Sequence, residues 1–414
     1  MNDKKERLLP STLRMVAWEV TRSCNLACAH CRASSVGGPY AGELDTAACL
    51  RLIDEIAAFS QPVIILTGGE PLLRPDIWEI AAYGDGKGLR MVMATNGTLV
   101  TEDTAEKMLA AGIRRVSVSL DGPDAESHDR FRRVAGAFAG ALAGIEAMQR
   151  AGMEFQINTT ITKDNLNHIK EIHDLAMRIG AAAHHIFLLV PTGRARELAE
   201  QEISAEEYER TLEWFYERSL ACPIQLKATC APHYHRIFHQ RGGLKSAAAG
   251  KQAPQHGADE ISPHPPLQKR GGLSLNTPLV KEGKGGFEAN KGNGEAVGEA
   301  GHPLHAMTRG CLGGVSFCFI SHTGQVQPCG YLELDCGQIK KMGFQDIWDQ
   351  SPIFQDLRNP GLYKGKCGEC EFIRVCGGCR ARAYEKTGDY LAEEPYCLYQ
   401  PPRNPKMAAT AKSK

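Results

Sequence analysis

Six short apolar runs recur through the first 230 residues, most of them followed by a stretch with apolar residues at helical spacing, and that alternation permits few folds. The runs are Met15 to Val20, Val63 to Thr67, Arg90 to Ala94, Arg115 to Leu120, Phe155 to Ile161 and His185 to Val190. Helical spacing appears near Thr46 to Phe59, Glu102 to Ala111, Ala137 to Ala151, Leu166 to Ile179 and Ala205 to Leu220. Strands separated by helices run parallel, joined by crossovers. Six units predict an α/β fold, a partial (β/α)6 barrel that is TIM-like but short of the eight units that close one. In such a fold the chemistry collects where strands end.

The end of the first strand carries Cys24, Cys28 and Cys31 in TRSCNLACAHCRASS, spaced C-x3-C-x2-C. This spacing gathers three thiolates on one loop, and soft thiolates suit iron–sulfur clusters. A 4Fe-4S cube needs four ligands to be closed, so three leave one iron open to a substrate or cofactor. A structural zinc loop with a distant fourth ligand has the same local spacing. Two further strand ends narrow the choice: Gly68-Gly69-Glu70-Pro71 after the second strand and Thr95-Asn96-Gly97 after the third. Together these residues resemble the radical SAM superfamily, in which the amino and carboxylate groups of S-adenosylmethionine chelate the open iron. The resemblance implies that Gly68, Gly69 and Glu70 hold the cationic methionine amine through charge-assisted hydrogen bonds. It places Thr95 and Asn96 at the same cofactor and His30 against the adenine. Ser117, Ser119 and Asp121-Gly122 at the fourth strand, with Asn158, Thr159 and Thr160 on the fifth, resemble ribose and carboxylate contacts. Both strings are also ordinary turn chemistry.

Charge excludes little but points away from nucleic acid: 48 basic residues balance 48 acidic ones. The chain lacks an apolar run long enough for a membrane span and lacks a secretory leader, which predicts a cytoplasmic protein that does not engage a membrane. Fifteen cysteines in such a chain of 414 residues predict metal binding rather than disulfides, and an oxygen-poor setting.

From 240 to 302 the character changes, with thirteen glycines between 241 and 302 and Phe287 as the only aromatic residue. The stretch reads as a disordered insertion, and a partial self-repeat from Pro266 and again from Pro278 suggests a translated repeat element. Loop closure costs grow only logarithmically with length, so two folded parts tolerate it between them. The expected organisation is an extension over 1–11, a barrel over 12–230, the insertion, a cysteine-rich module over 303–402 and a tail over 403–414.

That module carries Cys311, Cys318, Cys329 and Cys336, then Cys367-x2-Cys370-x5-Cys376-x2-Cys379, and Cys397. It resembles the SPASM domain, an auxiliary-cluster module of radical SAM enzymes, with Gly324 placed as in its CxnGx4C element. The x2 gap before Cys379 departs from the usual x3. The resemblance implies one or two auxiliary 4Fe-4S clusters, one on Cys311, Cys318, Cys329 and Cys379 and another on Cys367, Cys370, Cys376 and Cys397. A zinc ribbon is the competing reading of the paired C-x2-C elements. Cys49, in a helical pattern, reads as buried packing.

The strings HHIFLLVPTGRA from His184, LKATCAPHY from Leu226, PCGYL around Cys329 and CGGCRARAYEKTGDYLAEEPYC near the end resemble the haem b synthases of the sirohaem-derived route. That resemblance implies an oxidative decarboxylation of two propionates of Fe-coproporphyrin III to vinyl groups, giving protohaem. It implies an electron donor such as flavodoxin or ferredoxin, and an auxiliary cluster as electron acceptor. A tetracarboxylate iron porphyrin calls for guanidinium groups, so Arg194 and Arg196 are candidates for the propionates, with surface salt bridges as the alternative. His184, His185, Cys230 and His233 are candidate axial ligands, each equally consistent with a structural role. Rival readings are a sister tetrapyrrole enzyme of the same route or of haem d1 synthesis, a peptide maturase, and an iron–sulfur electron carrier. The open-iron loop speaks against the carrier.

Overall fold

Barrel strands have one face on helices and the other on a lumen, and the burial of these strands follows that rule. In the computed structural model, which describes residues 8–9, 11–242 and 309–402, seven parallel strands come first. They are β1 (Met15–Thr21), β2 (Val63–Gly68), β3 (Arg90–Thr95), β4 (Val116–Ser119), β5 (Phe155–Ile161), β6 (Ala183–Leu188) and β7 (Gln225–Thr229). Val16, Trp18, Ile64, Leu66, Met91, Met93, Val116, Val118 and Ile157 alternate with half-buried residues and are buried in one core. At roughly 1.5–3 kcal/mol per buried large side chain, this face supplies much of the driving force for the sheet.

The helices against it are α1 (Thr46–Phe59), α2 (Ile77–Gly86), α3 (Glu102–Ala110), α4 (Ala125–Arg132), α5 (Ala137–Arg150), α6 (Ile169–Arg178), α7 (Ala205–Ser219) and α8 (His233–Gln240). Leu52, Ile53 and Ile56 of α1, and Ile145 and Met148 of α5, recur at three- and four-residue spacing in that core. Capping fixes the starts of several helices. Asp45 accepts from Ala48 N–H at α1, and Ser204 with Glu207 forms a reciprocal capping box at α7. Sequence reading passed over α2, α4 and α8. Of these, α2 contains Gly84 and Gly86, whose helix propensity is poor, and α4 is a short polar turn fixed by Asp124 at its N-cap.

β7 is a seventh strand beyond the six expected, and the sheet does not end at β1 either. Three C-terminal strands, β8 (Phe317–Ile320), β9 (Gln325–Gln327) and β10 (Gly337–Gln338), complete the order β10-β9-β8-β1-β2-β3-β4-β5-β6-β7. β8 runs parallel to β1, with Cys318 opposite Val16, and the hairpin β8–β9–β10 is antiparallel. Among the described residues the two ends, β7 and β10, are not paired, so the sheet there does not close. Four short helices follow: α9 (Phe344–Gln350), α10 (Pro352–Arg358), α11 (Gly365–Glu369) and α12 (Arg380–Thr387). Phe344, Ile347, Trp348 and Phe354 join the same core as β1, so the cysteine-rich region and the barrel share one interior. Leu9 donates its N–H to the Arg358 carbonyl at 2.8 Å, tying the chain start to α10. The expected insertion lies, from 243 on, outside the described residues, as do the tail from 403 and most of the first ten residues.

Candidate iron–sulfur centres

The loop after β1 brings Cys24, Cys28 and Cys31 together with Leu26, Val134 and Ala137. Each sulfur accepts one hydrogen bond: Leu26 N–H to Cys24 Sγ (3.4 Å), Arg132 Nη1 to Cys28 Sγ (3.6 Å) and Ser35 N–H to Cys31 Sγ (3.2 Å). Burial pushes the Cys24 thiol up to about 11 against the Leu26 N–H, and neighbouring thiolates add to the rise. Three cysteines in one small cluster, each sulfur met by a donor, suit thiolate ligation of an iron–sulfur cluster. His30, between two of the cysteines, stacks on Phe131 at 4.4 Å, and its Nδ1 is buried with no partner among the described residues. A polar atom left open there suits a heterocyclic ligand beside the loop.

Gly68 and Gly69 are explained by contact with this loop. A Cβ on Gly68 would lie 2.1 Å from the Thr21 carbonyl oxygen, and one on Gly69 would lie 2.2 Å from that of Ser23. Gly69 and Glu70 donate their N–H groups to those same two carbonyls. The Glu70 carboxylate, fully buried, accepts from Leu72 N–H (3.2 Å), Thr95 Oγ1 (2.8 Å) and Asn96 N–H (2.8 Å). Burial raises its pKa to about 7 against those donors. Asn96 continues the chain of bonds to Asn25 at 2.8 Å, inside the cysteine loop. Glu70, Thr95 and Asn96 thus bind one another and brace the loop at the strand ends where the cofactor is expected.

The remaining candidates are held by partners of their own. Asp121 is buried with its carboxylate accepting from Thr160 N–H (2.7 Å) and paired with Arg132, the residue that donates to Cys28. It positions the cluster loop through Arg132 instead of meeting a ribose. Thr159 points to the helix side, donating to the Leu120 carbonyl and lying 3.0 Å from His184 Nε2, so it faces away from the lumen. His184 stacks on His173 at 5.4 Å in the fully buried layer beneath α6 and α7 and is no axial ligand. Of the two arginines after β6, Arg194 clamps the cysteine loop, donating Nε to the Cys28 carbonyl (2.8 Å) and Nη2 to that of Ser35 (2.9 Å). Arg196 forms an exposed pair with Glu385. Neither stands free for a propionate.

The lumen face instead shows a row in register across four strands: Ser119, Asn158, His185 and Lys227. Ser117 and Gln156 form the row below. Gln156 donates to both Asn158 Oδ1 (3.1 Å) and His185 Nδ1 (2.9 Å). Burial, then Lys227, keeps the His185 pKa well below its usual value, so it stands neutral. Burial also lowers the pKa of Lys227, which has no carboxylate within ion-pair distance among the described residues. Sequence reading missed Lys227 because β7 itself was not recognised; LKAT alternates with period two, which was the available signal.

The C-terminal cysteines form two groups. Cys367, Cys370, Cys376 and Cys397 line one pocket with His233 and Arg236. His233 belongs to this pocket and not to the lumen row; it packs on Tyr208 at 4.8 Å, and neither ring nitrogen has a partner among the described residues. The second group departs from expectation. Cys329, Cys379 and Cys230 pack in one small cluster with Val190 and Leu332. The charges of Cys379, Cys329 and Cys311 all act to raise the Cys230 thiol, already pushed up by burial. Cys318, expected here, lies on β8 in the main core, where its cysteine neighbour is Cys336. Cys49 is buried packing, accepting from Arg74.

Residues 18–176 match the Radical SAM superfamily and residues 311–380 match SPASM, an iron–sulfur cluster-binding domain. The chain is 50% identical over 392 residues to a protein of Nitratidesulfovibrio vulgaris named AdoMet-dependent heme synthase, covering 95% of this chain and 94% of that one. A protein of the same name from Methanosarcina barkeri is 48% identical, covering 94% and 97%. Fe-coproporphyrin III synthase of Methanosarcina barkeri is 30% identical, covering 92% and 87%. Among solved structures, Streptococcus suis SuiB bound to S-adenosylmethionine aligns over 96% of this chain and 79% of its own, with TM-score 0.65 and 14% identity, which shows the shared fold. With three cysteines on one loop and two further cysteine groups in its C-terminal region, the chain belongs to the radical SAM superfamily, carries a SPASM domain and is related to the AdoMet-dependent heme synthases.

Proposed function

We propose that this enzyme converts Fe-coproporphyrin III to haem by oxidative decarboxylation of two propionate side chains to vinyl groups. The observation that carries this is near-half identity, over almost the full length, to proteins named AdoMet-dependent heme synthase. Each conversion removes one hydrogen atom, one carbon dioxide and one further electron, leaving a carbon–carbon double bond. S-adenosylmethionine with its cluster, when bound, supplies the carbon radical that takes the hydrogen atom, a reaction no side chain performs.

The protein's part is holding and orienting. Cys24, Cys28 and Cys31 would hold the first cluster, with Arg132, Arg194 and the Glu70 hub fixing the loop. His30 would meet the adenine, and Ser117, Ser119 and Asn158, on the lumen face, would meet the rest of the cofactor. Lys227, on the same face and with no carboxylate within ion-pair distance among the described residues, suits a propionate better than Arg194 or Arg196, whose guanidinium groups already have partners. The electron enters from an external low-potential donor such as flavodoxin or ferredoxin. A cytoplasmic site of action fits this reading. Among the described residues no helix is long and apolar enough to cross a membrane.

The test is anaerobic incubation of the reconstituted enzyme with S-adenosylmethionine, a strong reductant and Fe-coproporphyrin III, following porphyrin mass and 5′-deoxyadenosine together. Two successive losses of formic acid mass are expected, each accompanied by deoxyadenosine. Deoxyadenosine with unchanged porphyrin would move the substrate to a sister tetrapyrrole reaction.

A further inference from the structure

The C-terminal module by itself does not complete one of its own cysteine groups. We infer that Cys230, at the end of barrel strand β7, is the fourth ligand of the auxiliary cluster held by Cys311, Cys329 and Cys379, and that Cys318 takes no part in any cluster. Cys230 lies outside the segment matched by the iron–sulfur domain, residues 311–380. It comes to that domain through the fold: Cys230 packs in the same small cluster as Cys329 and Cys379. Cys311 is brought in by its neighbours. A Cβ on Gly310 would lie 2.7 Å from Pro232 Cα, two residues from Cys230, and one on Gly313 would lie 3.7 Å from Cys329 Cβ.

The backbone at Cys230 is built for a special task. Its φ of 56° is left-handed, a conformation that non-glycine residues adopt at a cost and that concentrates at functional sites. Two donors over-determine it: Tyr208 Oη and Arg382 Nη1 both bond the Cys230 carbonyl, at 3.0 and 3.2 Å. Arg382 is itself fully buried, and its Nη2 also donates to the Leu188 and Leu189 carbonyls, so one buried cation ties Cys230 to the end of β6. Nothing comparable surrounds Cys318. It is a mid-strand residue facing the aliphatic core, fully buried and opposite Val16 in the β8–β1 ladder.

Cys230 with Cys311, Cys329 and Cys379 makes four thiols drawn from two distant parts of the chain, the number a closed cube needs. On ligation each would release its proton to solvent and bond one iron as thiolate, with no electron moved. Four such bonds close a 4Fe-4S cube, where three would leave an open iron. The assignment also bonds this cluster to the strand that carries Lys227, three residues earlier on the lumen face. An electron acceptor is thereby fixed to the wall of the substrate space.

The inference rests on the SPASM assignment but not on the porphyrin reading, and its test uses no porphyrin. Iron and sulfide content and low-temperature EPR of the dithionite-reduced enzyme are compared for wild type, Cys230→Ser, Cys318→Ser and Cys379→Ser after anaerobic reconstitution. Expected is loss of one cluster's iron, or conversion of that cluster to a three-iron form, in Cys230→Ser as in Cys379→Ser, with Cys318→Ser matching wild type. Wild-type iron in Cys230→Ser, or loss of iron in Cys318→Ser, overturns the assignment. Should Cys230→Ser not fold, anaerobic alkylation of the wild-type holoenzyme decides. Cys230 should be protected until a chelator strips the iron, together with Cys311, Cys329 and Cys379; alkylation of Cys230 in the fully loaded enzyme overturns the assignment.

Discussion

At the scale of single residues, the three cysteine groups divide the labour of the enzyme. Cys24 belongs to the loop that faces the cofactor, so Cys24→Ala is expected to abolish S-adenosylmethionine cleavage. Cys379 belongs to an auxiliary group, so Cys379→Ala should retain part of that cleavage and form no vinyl product. Deoxyadenosine and porphyrin mass, measured together, check both; equal loss of both products in the two variants would contradict the division. Glu19 makes a different prediction, about stability. It is fully buried, 2.6 Å from His322 and paired with Arg32 next to Cys31. Burial opposes its charge, but the bond from His322 and the charges of Arg32 and Arg22 outweigh that and hold its pKa down to about 2. A lowered folded pKa gives stability that is present above the unfolded value of 4.5 and lost as pH falls through about 2. The shift corresponds to about 3 kcal/mol as an order of magnitude. Glu19→Gln should therefore flatten the pH dependence of unfolding in that window, as read by denaturant titration of the apoprotein.

At the scale of elements, the end of β2 is welded to the cysteine loop by backbone contact. Gly69→Ala would drive its Cβ to 2.2 Å from the Ser23 carbonyl oxygen, and a backbone atom has little freedom to retreat. Overpacking of this kind costs about 1–3 kcal/mol. The expected result is a lowered Tm and severely reduced deoxyadenosine formation, whereas an alanine at exposed Gly136, with open space around it, should leave deoxyadenosine formation unchanged and shift Tm only through its left-handed φ. The glycines in GGEP were legible in the sequence as a motif. Their physical reason was not, because the atoms they approach lie in another element. The short strand β7 escaped notice for a related cause: QLKAT is half-exposed at the sheet's open edge and lacks an apolar run.

At the scale of the whole molecule, the barrel depends on the C-terminal region for its interior. Ile320, Val326, Phe344, Ile347, Trp348 and Phe354 fill the core beside β1 and α1, and β8 covers the β1 edge. A fragment of residues 1–242 would expose that edge and that apolar face. It should lack a cooperative unfolding transition and aggregate, as sedimentation and thermal melting would reveal. The stretch between 242 and 309 predicts the opposite. α8 is about 12 Å long at 1.5 Å per residue, and Gly310 returns to its N-terminal end beside Pro232. A flexible linker of about eight residues spans roughly 15 Å root-mean-square. Replacing residues 243–308 with such a linker should leave iron content and S-adenosylmethionine cleavage intact.

What the sequence by itself determined was whatever its spacing encodes within one local stretch. C-x3-C-x2-C places three sulfurs on a single loop, and Cys367, Cys370 and Cys376 likewise converge with little help from elsewhere. Strand–helix alternation determined the parallel sheet in the same way, through period. What only the tertiary structure decided was every partnership across distance. It gave Cys230 to the group of Cys311, Cys329 and Cys379 and turned Cys318 into the core, although Cys318 is far nearer to them in sequence. It spent Arg194 on the cysteine loop and left Lys227 with no carboxylate within ion-pair distance among the described residues. The physical reason is that a strand sends alternate side chains to opposite faces. Whether a given cysteine reaches metal or core thus depends on the register of its strand against neighbours hundreds of residues away, and composition and spacing carry no record of that register.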